Sequence, residues 1–324
     1  MAAGPGPGRG TSRRALLRCA AALPVVLDGR HAGAEGRSVT LLVGATPGGA
    51  ADEWARGFAP FLERHWPGSS VAVRNLPGED GLAAMRALAA AQADGRLIGA
   101  VSTPLLLARA VQRSETALLD GLHFVAAVVE EPVVLIANPD LAEDLAALRA
   151  LGPRTILGTP SAGSAAQLAA TAFSRTAPMD LLAFPNASAA RQAVLAGHIP
   201  CAMVAISEVV APLRKGRLAG LAIARKQRSR LAPEVPTFME QGIALAVTSQ
   251  RGFAVAAGTA PAAEEPVLQG LRSAVADPEF TAQAEALGVE PSFVARPEWE
   301  PELRRTLADL TARWVRDPWI TRQE

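Results

Sequence analysis

The chain predicts an α/β fold of two lobes, each a mainly parallel sheet flanked by helices, and three observations predict it. From residue 39 onward, apolar runs of strand length alternate with segments of helical period, the alternation that packs helices onto a parallel sheet. Val39-Thr40-Leu41-Leu42-Val43 leads into Gly44-Ala45-Thr46-Pro47-Gly48-Gly49-Ala50-Ala51-Asp52 and then a helix, and the same grammar recurs. In the second copy Thr155-Ile156-Leu157 leads into Gly158-Thr159-Pro160-Ser161-Ala162-Gly163-Ser164. No low-complexity linker separates the two copies, which suits a chain that crosses twice between lobes through extended segments. The expected partition is 35–137 plus 252–324 in lobe 1 and 138–251 in lobe 2.

Taken in order, Trp54, Phe58, Phe61 and Leu62 fall at i, i+4, i+7 and i+8, one apolar helical face. Pro60 is expected to kink that helix. A strand at 71–73, the turn-rich Asn75-Leu76-Pro77-Gly78-Glu79-Asp80-Gly81, a helix through Met85 and Leu88 and a strand at 97–101 complete a β-α-β-α-β unit. Ligand sites of such sheets lie beyond the carboxyl ends of the strands, and Thr46, Asn75 and Ser102-Thr103 fall there. A strand at 133–137 is followed by Asn138-Pro139-Asp140, with Asp140 the expected cap of a helix over 141–150. After the second turn come a strand at 181–184, a helix at 188–195 closed by Gly197, a strand at 199–204, a helix at 208–213 closed by Gly216, and a strand at 218–224. A strand at 252–257 is expected to return to lobe 1, and helices near 267–276, 280–287 and 302–314 finish the chain.

Residues 1–34 read as an export signal. Thr11-Ser12-Arg13-Arg14-Ala15-Leu16-Leu17-Arg18 leads into an apolar run at 19–27, and Ala32-Gly33-Ala34 has the small-x-small form of a cleavage site. The paired arginines suggest the twin-arginine route, cleavage after Ala34 and a periplasmic location; the apolar run is too short to span a bilayer.

Removing that segment takes away five arginines and one aspartate, so the formal charge falls from +1 to −3. A mildly acidic chain argues against nucleic acid or an anionic membrane as partner. The basic cluster Arg225-Lys226-Gln227-Arg228-Ser229-Arg230 reads as a solvated loop. Cys201 would remain the single cysteine, leaving no intramolecular disulfide and a thiol expected to pack as a small hydrophobe.

Several chemistries lack their residues. Gly44 and Gly49 have the spacing of a P-loop, but Ala50 and Ala51 stand where lysine and a magnesium-binding hydroxyl are required. Ser161 lacks the first glycine of a nucleophile elbow. His65, His123 and His198 stand far apart, so no metal is expected, and no cofactor either. The carboxylate pair Glu130-Glu131 reads as an exposed acidic turn. What the two glycine turns do offer is amides: the first N–H groups of a helix have no internal partner, and glycine lets backbone approach a ligand closely. A small anion held between the turns is the expected cargo.

At this point the residues resemble a family, the substrate-binding proteins of tripartite tricarboxylate transporters, or Bug receptors. Thr46-Pro47-Gly48-Gly49-Ala50-Ala51-Asp52 is similar to its P-P-G-G-x-x-D turn, Asn75 to Gly81 to its N-R-P-G-x-x-G segment, and Ala93-Asp94-Gly95-Arg96-Leu97 to P-D-G-Y-x-L. The 158–164 loop, Lys215-Gly216-Arg217-Leu218-Ala219, Leu231-Ala232-Pro233-Glu234-Val235-Pro236-Thr237 and Ala257-Gly258-Thr259-Ala260-Pro261 resemble later segments in the family's order.

The resemblance implies a two-lobed periplasmic-binding-protein type II fold that is not an enzyme, works as a monomer, and grips a small carboxylate largely with main-chain amides. Its expected partners are membrane subunits of the transporter or a sensor kinase. The implied ligand-binding residues are Thr46, Pro47, Gly48, Gly49, Asp52 and Ser102 in one lobe, and Ser161, Ala162, Gly163, Ser164, Asn186 and Ser188 in the other. The alternatives are a periplasmic ligand sensor for a membrane kinase and, after it, a hydrolase or transferase using Ser161 or Ser164, which needs a base within hydrogen-bond reach of the hydroxyl. This chain departs from the family pattern in the second lobe: Gln167 stands in place of histidine, Pro185-Asn186-Ala187-Ser188 in place of P-Y-K-G, Pro200 in place of aspartate, and no tryptophan stands near Gln250.

Overall fold

A computed structural model describes residues 37–319; the export signal, Cys19 and the cleavage site at Ala34 lie outside the described residues. Its first part runs β1 (Arg37–Val43), α1 (Ala50–Arg64), β2 (Ser69–Asn75), α2 (Leu82–Ala89), β3 (Leu97–Thr103) and α3 (Leu105–Gln112). The chain then enters β4 (Leu122–Ala137), sixteen residues long, and crosses into α4 (Leu145–Ala150), β5 (Ile156–Thr159), α5 (Ala165–Ser174), β6 (Asp180–Ala183) and α6 (Ala187–Leu195). β7 (Cys201–Ala205), α7 (Val210–Arg214) and β8 (Ala219–Ile223) follow. β9 (Thr248–Ala256) returns, followed by α8 (Pro261–Val275), α9 (Pro278–Ala286), β10 (Glu290–Ala295) and α10 (Arg296–Arg316).

The strands lie in the order β2-β1-β3-β9-β4-β7-β5-β6, with β10 and β8 also paired to β4. The outer triplets, β2-β1-β3 and β7-β5-β6, hold the parallel pairs. The middle is antiparallel, because β4 carries the chain from one outer triplet toward the other and β9 brings it back. The sheet is therefore mixed, more so than the alternation alone suggests.

β4 is the element least visible in the sequence. Its first part pairs with β9 and β10 and its last five residues with β7 and β8. Glu130-Glu131-Pro132 looks like a break, yet the strand runs through it because each carboxylate meets an arginine. Arg225 Nη2 donates to Glu130 Oε2 at 3.1 Å, and Arg251 Nη2 to Glu131 Oε2 at 3.3 Å. The exposed acidic turn is thus corrected to a paired segment at the crossing, with Glu131 buried.

The basic cluster at 225–230 is corrected with it. Arg225 also donates to Glu290 Oε2 at 2.5 Å, Ser229 is buried with its hydroxyl on Glu290, and Arg228 pairs with Glu240 at 3.0 Å. Burial pushes the Glu290 carboxyl up, but the Ser229 and Arg225 bonds outweigh it and hold its pKa below the ordinary value.

Both faces of the sheet's inner strands are covered, and the side-chain period of two assigns residues to them. In β1, Val39, Leu41 and Val43 pack with Phe58, Phe61 and Leu62 of α1 and with Phe253, Leu271 and Phe280, while Leu42 turns toward Met85, Leu107 and Trp299. In β4, Val133, Leu135 and Ala137 meet Phe173 of α5, whereas Val134 and Ile136 meet Ala190 and Val194 of α6. The apolar face read from α1 is buried as expected, and the helix runs past Pro60 as one segment. One boundary moves: α4 starts later than expected, because Asp144, not Asp140, caps it by accepting the Ala147 amide at 2.7 Å. The Asp140 amide is turned instead onto Asn138 Oδ1. Cys201 is a buried free thiol whose pKa is pushed up to about 12 by burial.

Candidate functional site

The first glycine turn owes its shape to a carboxylate. Asp52, 2% exposed, accepts the Gly48 amide at 2.9 Å, Arg56 Nε at 3.0 Å and Asn75 Nδ2 at 2.9 Å. Asn75 also donates to Ala45 O at 3.0 Å and accepts from Arg56 Nη2 at 2.9 Å. The ring of bonds joins the ends of β1 and β2 to the first turn of α1. The Arg56 bond, then the Gly48 amide and Asn75, hold the Asp52 carboxyl down at about 2. Gly48 bends the turn at a φ of 77°, where glycine carries no Cβ penalty.

With the Gly48 amide on Asp52 and the Gly49 amide on Thr46 O, the open donors lie one step further along. The amides of Ala50 and Ala51 have no hydrogen-bond partner among the described residues, and both residues line a cleft of about 620 Å³. Thr46 and Ser102 line it too, with hydroxyls that donate to nothing in the described structure. Its walls are apolar, from Val43, Trp54, Met85, Val101, Leu105 and Leu106. The rim from Gly78 to Gly81 has positive φ at all four residues, including Glu79 and Asp80. Glu79 pairs with Arg86, and Asp80 with Arg109 at 3.0 Å.

Of the residues singled out in the sequence, Thr46 and Ser102 line this cleft, and Gly48, Gly49 and Asp52 build the turn beside it. Pro47 is exposed on the same turn. The second-lobe set stands elsewhere. The Ser161 hydroxyl donates to Pro185 O at 3.4 Å, Ala162 packs into the core beneath α3, and Ser164 caps α5 by accepting the Gln167 amide at 3.2 Å. Gly163 is buried at a φ of 75°, so close to α3 that an added Cβ would lie 3.0 Å from that of Ala108. Asn186 caps α6 through the Ala189 amide at 2.8 Å, and the Ser188 hydroxyl accepts from Arg191 at 2.8 Å. None of these lines the cleft. Neither Ser161 nor Ser164 has a histidine partner among the described residues: His65 faces Asp277 and His123 faces Glu264.

The sequence reading missed Arg251, which lines the cleft from β9 beside Trp54. The returning strand begins four residues earlier than expected, at Thr248, which makes Arg251 a strand residue. The departures at Gln167 and Gln250 serve internal bonding: Gln167 Oε1 accepts the Gly163 amide at 3.3 Å and Gln250 Oε1 accepts the Trp299 indole N–H at 2.8 Å.

The sequence profile of the tripartite tricarboxylate transporter family receptor, TctC, matches residues 62–316. The chain belongs to this family. Among curated relatives of the TctC receptor, Protein BugT of Bordetella pertussis is 30% identical, covering 86% of this chain and 87% of BugT. Three solved structures share its fold. A ligand-free TctC solute-binding protein from Polaromonas superposes with a TM-score of 0.77 at 22% identity over 85% of this chain and 97% of that one. A protein of R. palustris solved with adipate gives 0.67 at 20% identity over 86% and 95%. MatC of Rhodopseudomonas palustris with bound malate gives 0.63 at 22% identity over 86% and 97%. The TctC receptor thus has the two-lobed periplasmic-binding fold, its family members are solute-binding proteins, and no helix among its described residues is long and apolar enough to cross a membrane.

Proposed function

We propose that this TctC receptor is exported to the periplasm, captures a small organic carboxylate in the cleft beside Thr46, and hands it to the membrane subunits of a tripartite tricarboxylate transporter. One observation carries the reading: partnerless α1 amides at Ala50 and Ala51 share a cleft of about 620 Å³ with the Thr46 and Ser102 hydroxyls. A helix N-terminus carries partial positive charge and favours an anion, and each hydrogen bond to a charged group contributes roughly 1.5–3 kcal/mol. The cleft is within the usual size of small-molecule sites. Malate and adipate in two structural neighbours support the same ligand class. In this reading lobe 2 is the closing partner, since its Gly163 turn already bears on α3, whose Leu105 and Leu106 line the cleft. Hinge bending through β4 and β9 would move one lobe on the other.

The test is a thermal-shift screen of organic acids on mature protein stripped of ligand by unfolding and refolding. A ligand at about a hundred times its Kd stabilises by about 2.7 kcal/mol, which raises Tm by roughly 4–5 °C in a chain of this size. A screen in which mono-, di- and tricarboxylates all leave Tm unmoved would sink the proposal.

A further inference from the structure

The amide donors of the cleft account for one anionic group, and the cleft holds a second, separate anchor. Among the described residues that line it, Arg251 is the sole basic side chain. It is the cross-strand partner of Ser102 on β3, and β3 in turn pairs with β1, where Val43 lies opposite Ala100. Cross-strand partners project to the same face, so the end of β1, Ser102 and Arg251 form a row across three adjacent strands. Strand spacing puts β1 and β9 about 10 Å apart.

The guanidinium sits 5.7 Å from the Trp54 ring centroid, and its one carboxylate contact among the described residues, Nη2 to Glu131 Oε2, is 3.3 Å. That is long for a charge-assisted bond. Glu131 is not dependent on it alone, because its other oxygen accepts the Ser207 hydroxyl. The acidic residues of the cleft do not compete for Arg251, since Glu79 and Asp80 are neutralised by Arg86, Arg113 and Arg109.

We propose that Arg251 is the specificity-determining residue of the cleft and selects ligands with a second carboxylate, the first being held by the Thr46–Ala51 turn. The inference rests on the carboxylate-receptor reading above. Arginine's planar fork matches a carboxylate bidentately, and a site built to bond a polar group rejects the analogue that lacks it, which leaves that site group unpaired. A diacid lying along the row reaches both anchors; a monoacid of equal length leaves Arg251 on its loose contact with Glu131.

Calorimetric titration with length-matched pairs, butyrate against succinate and hexanoate against adipate, tests it on the ligand-stripped mature chain. Wild-type protein is expected to prefer the diacid of at least one pair by about tenfold to a hundredfold. Arg251→Met is expected to bring that ratio near one, and Glu131→Gln, which removes the competing carboxylate, to raise diacid affinity. A preference that survives Arg251→Met, equal affinities in wild type, or a diacid affinity unchanged in Glu131→Gln each overturn the assignment and leave the receptor reading intact. The last variant decides the matter if Arg251→Met fails to fold. Loss of all binding, to these acids and across the wider screen, removes both.

Discussion

Asp52 shows how one side chain can serve a site without touching what the site binds. Its three donors fix the turn that aims the Ala50 and Ala51 amides into the cleft. Its folded pKa of about 2 lies below the ordinary 3.8, so its stabilisation is complete above the unfolded value and disappears as pH falls through the folded one. Tm measured against pH for wild type and Asp52→Ala should show a constant gap above about pH 5 that closes between about 5 and 1; a gap persisting undiminished at about pH 1 would assign the stability to something other than the carboxylate. The spacing of Gly48, Gly49 and Asp52 made this turn legible in the sequence; Asp52, read there as a ligand-binding residue, bonds the turn internally. Arg251 was not legible, because nothing local in Gln250-Arg251-Gly252 tells that β3 and Trp54 will stand beside it. Ser164 and Asn186 read as ligand-binding residues in the sequence, and the same short polar side chain also suits a helix cap; in the structure each caps its helix.

At the scale of elements, the first turn of α1 is where local and tertiary requirements meet. Gly49 stands at φ −82° and ψ 162°, extended geometry that tolerates a following proline, and proline is favoured at the first helical position. Ala50→Pro should therefore leave α1 and Tm intact while deleting one open donor, with a fall in carboxylate affinity of about tenfold to a hundredfold by titration. Retained affinity would show that the amide is not a ligand contact. Most helices and outer strands could be read from periodicity and glycine stops, since those signals act within a few residues of themselves. β4 resisted that reading because its continuity through Glu130-Glu131-Pro132 depends on arginines from segments far along the chain. A strand crossing a charged stretch is a tertiary fact, written in pairs of residues a hundred positions apart.

At the scale of the molecule, one of these arginines ties three distant segments together. Arg225, just past β8, reaches Glu130 on β4 and Glu290 at the start of β10, with Ser229 completing the coordination of Glu290. Glu290 is 4% exposed. Removing one partner of a buried pair leaves an uncompensated charge, and Arg225→Ala is expected to cost about 3 kcal/mol in urea unfolding; a loss under about 1 kcal/mol would mean the pair is solvated. The two-lobed plan was legible because the strand–turn–helix grammar occurs twice. The latch was hidden because 225–230 looks like any solvated basic loop until the acidic residues it meets are known.

The sixteen-residue length of β4 has a consequence for how the protein comes apart. Its middle residues bond to one half of the molecule and its last five to the other, so neither half can lose its centre strand without pulling on its neighbour's. Local fraying has no seam to follow along that strand. Its central amides should belong to the slowest-exchanging class, opening only when the entire molecule does, and a receptor that must bend to work does so around a rod that does not melt.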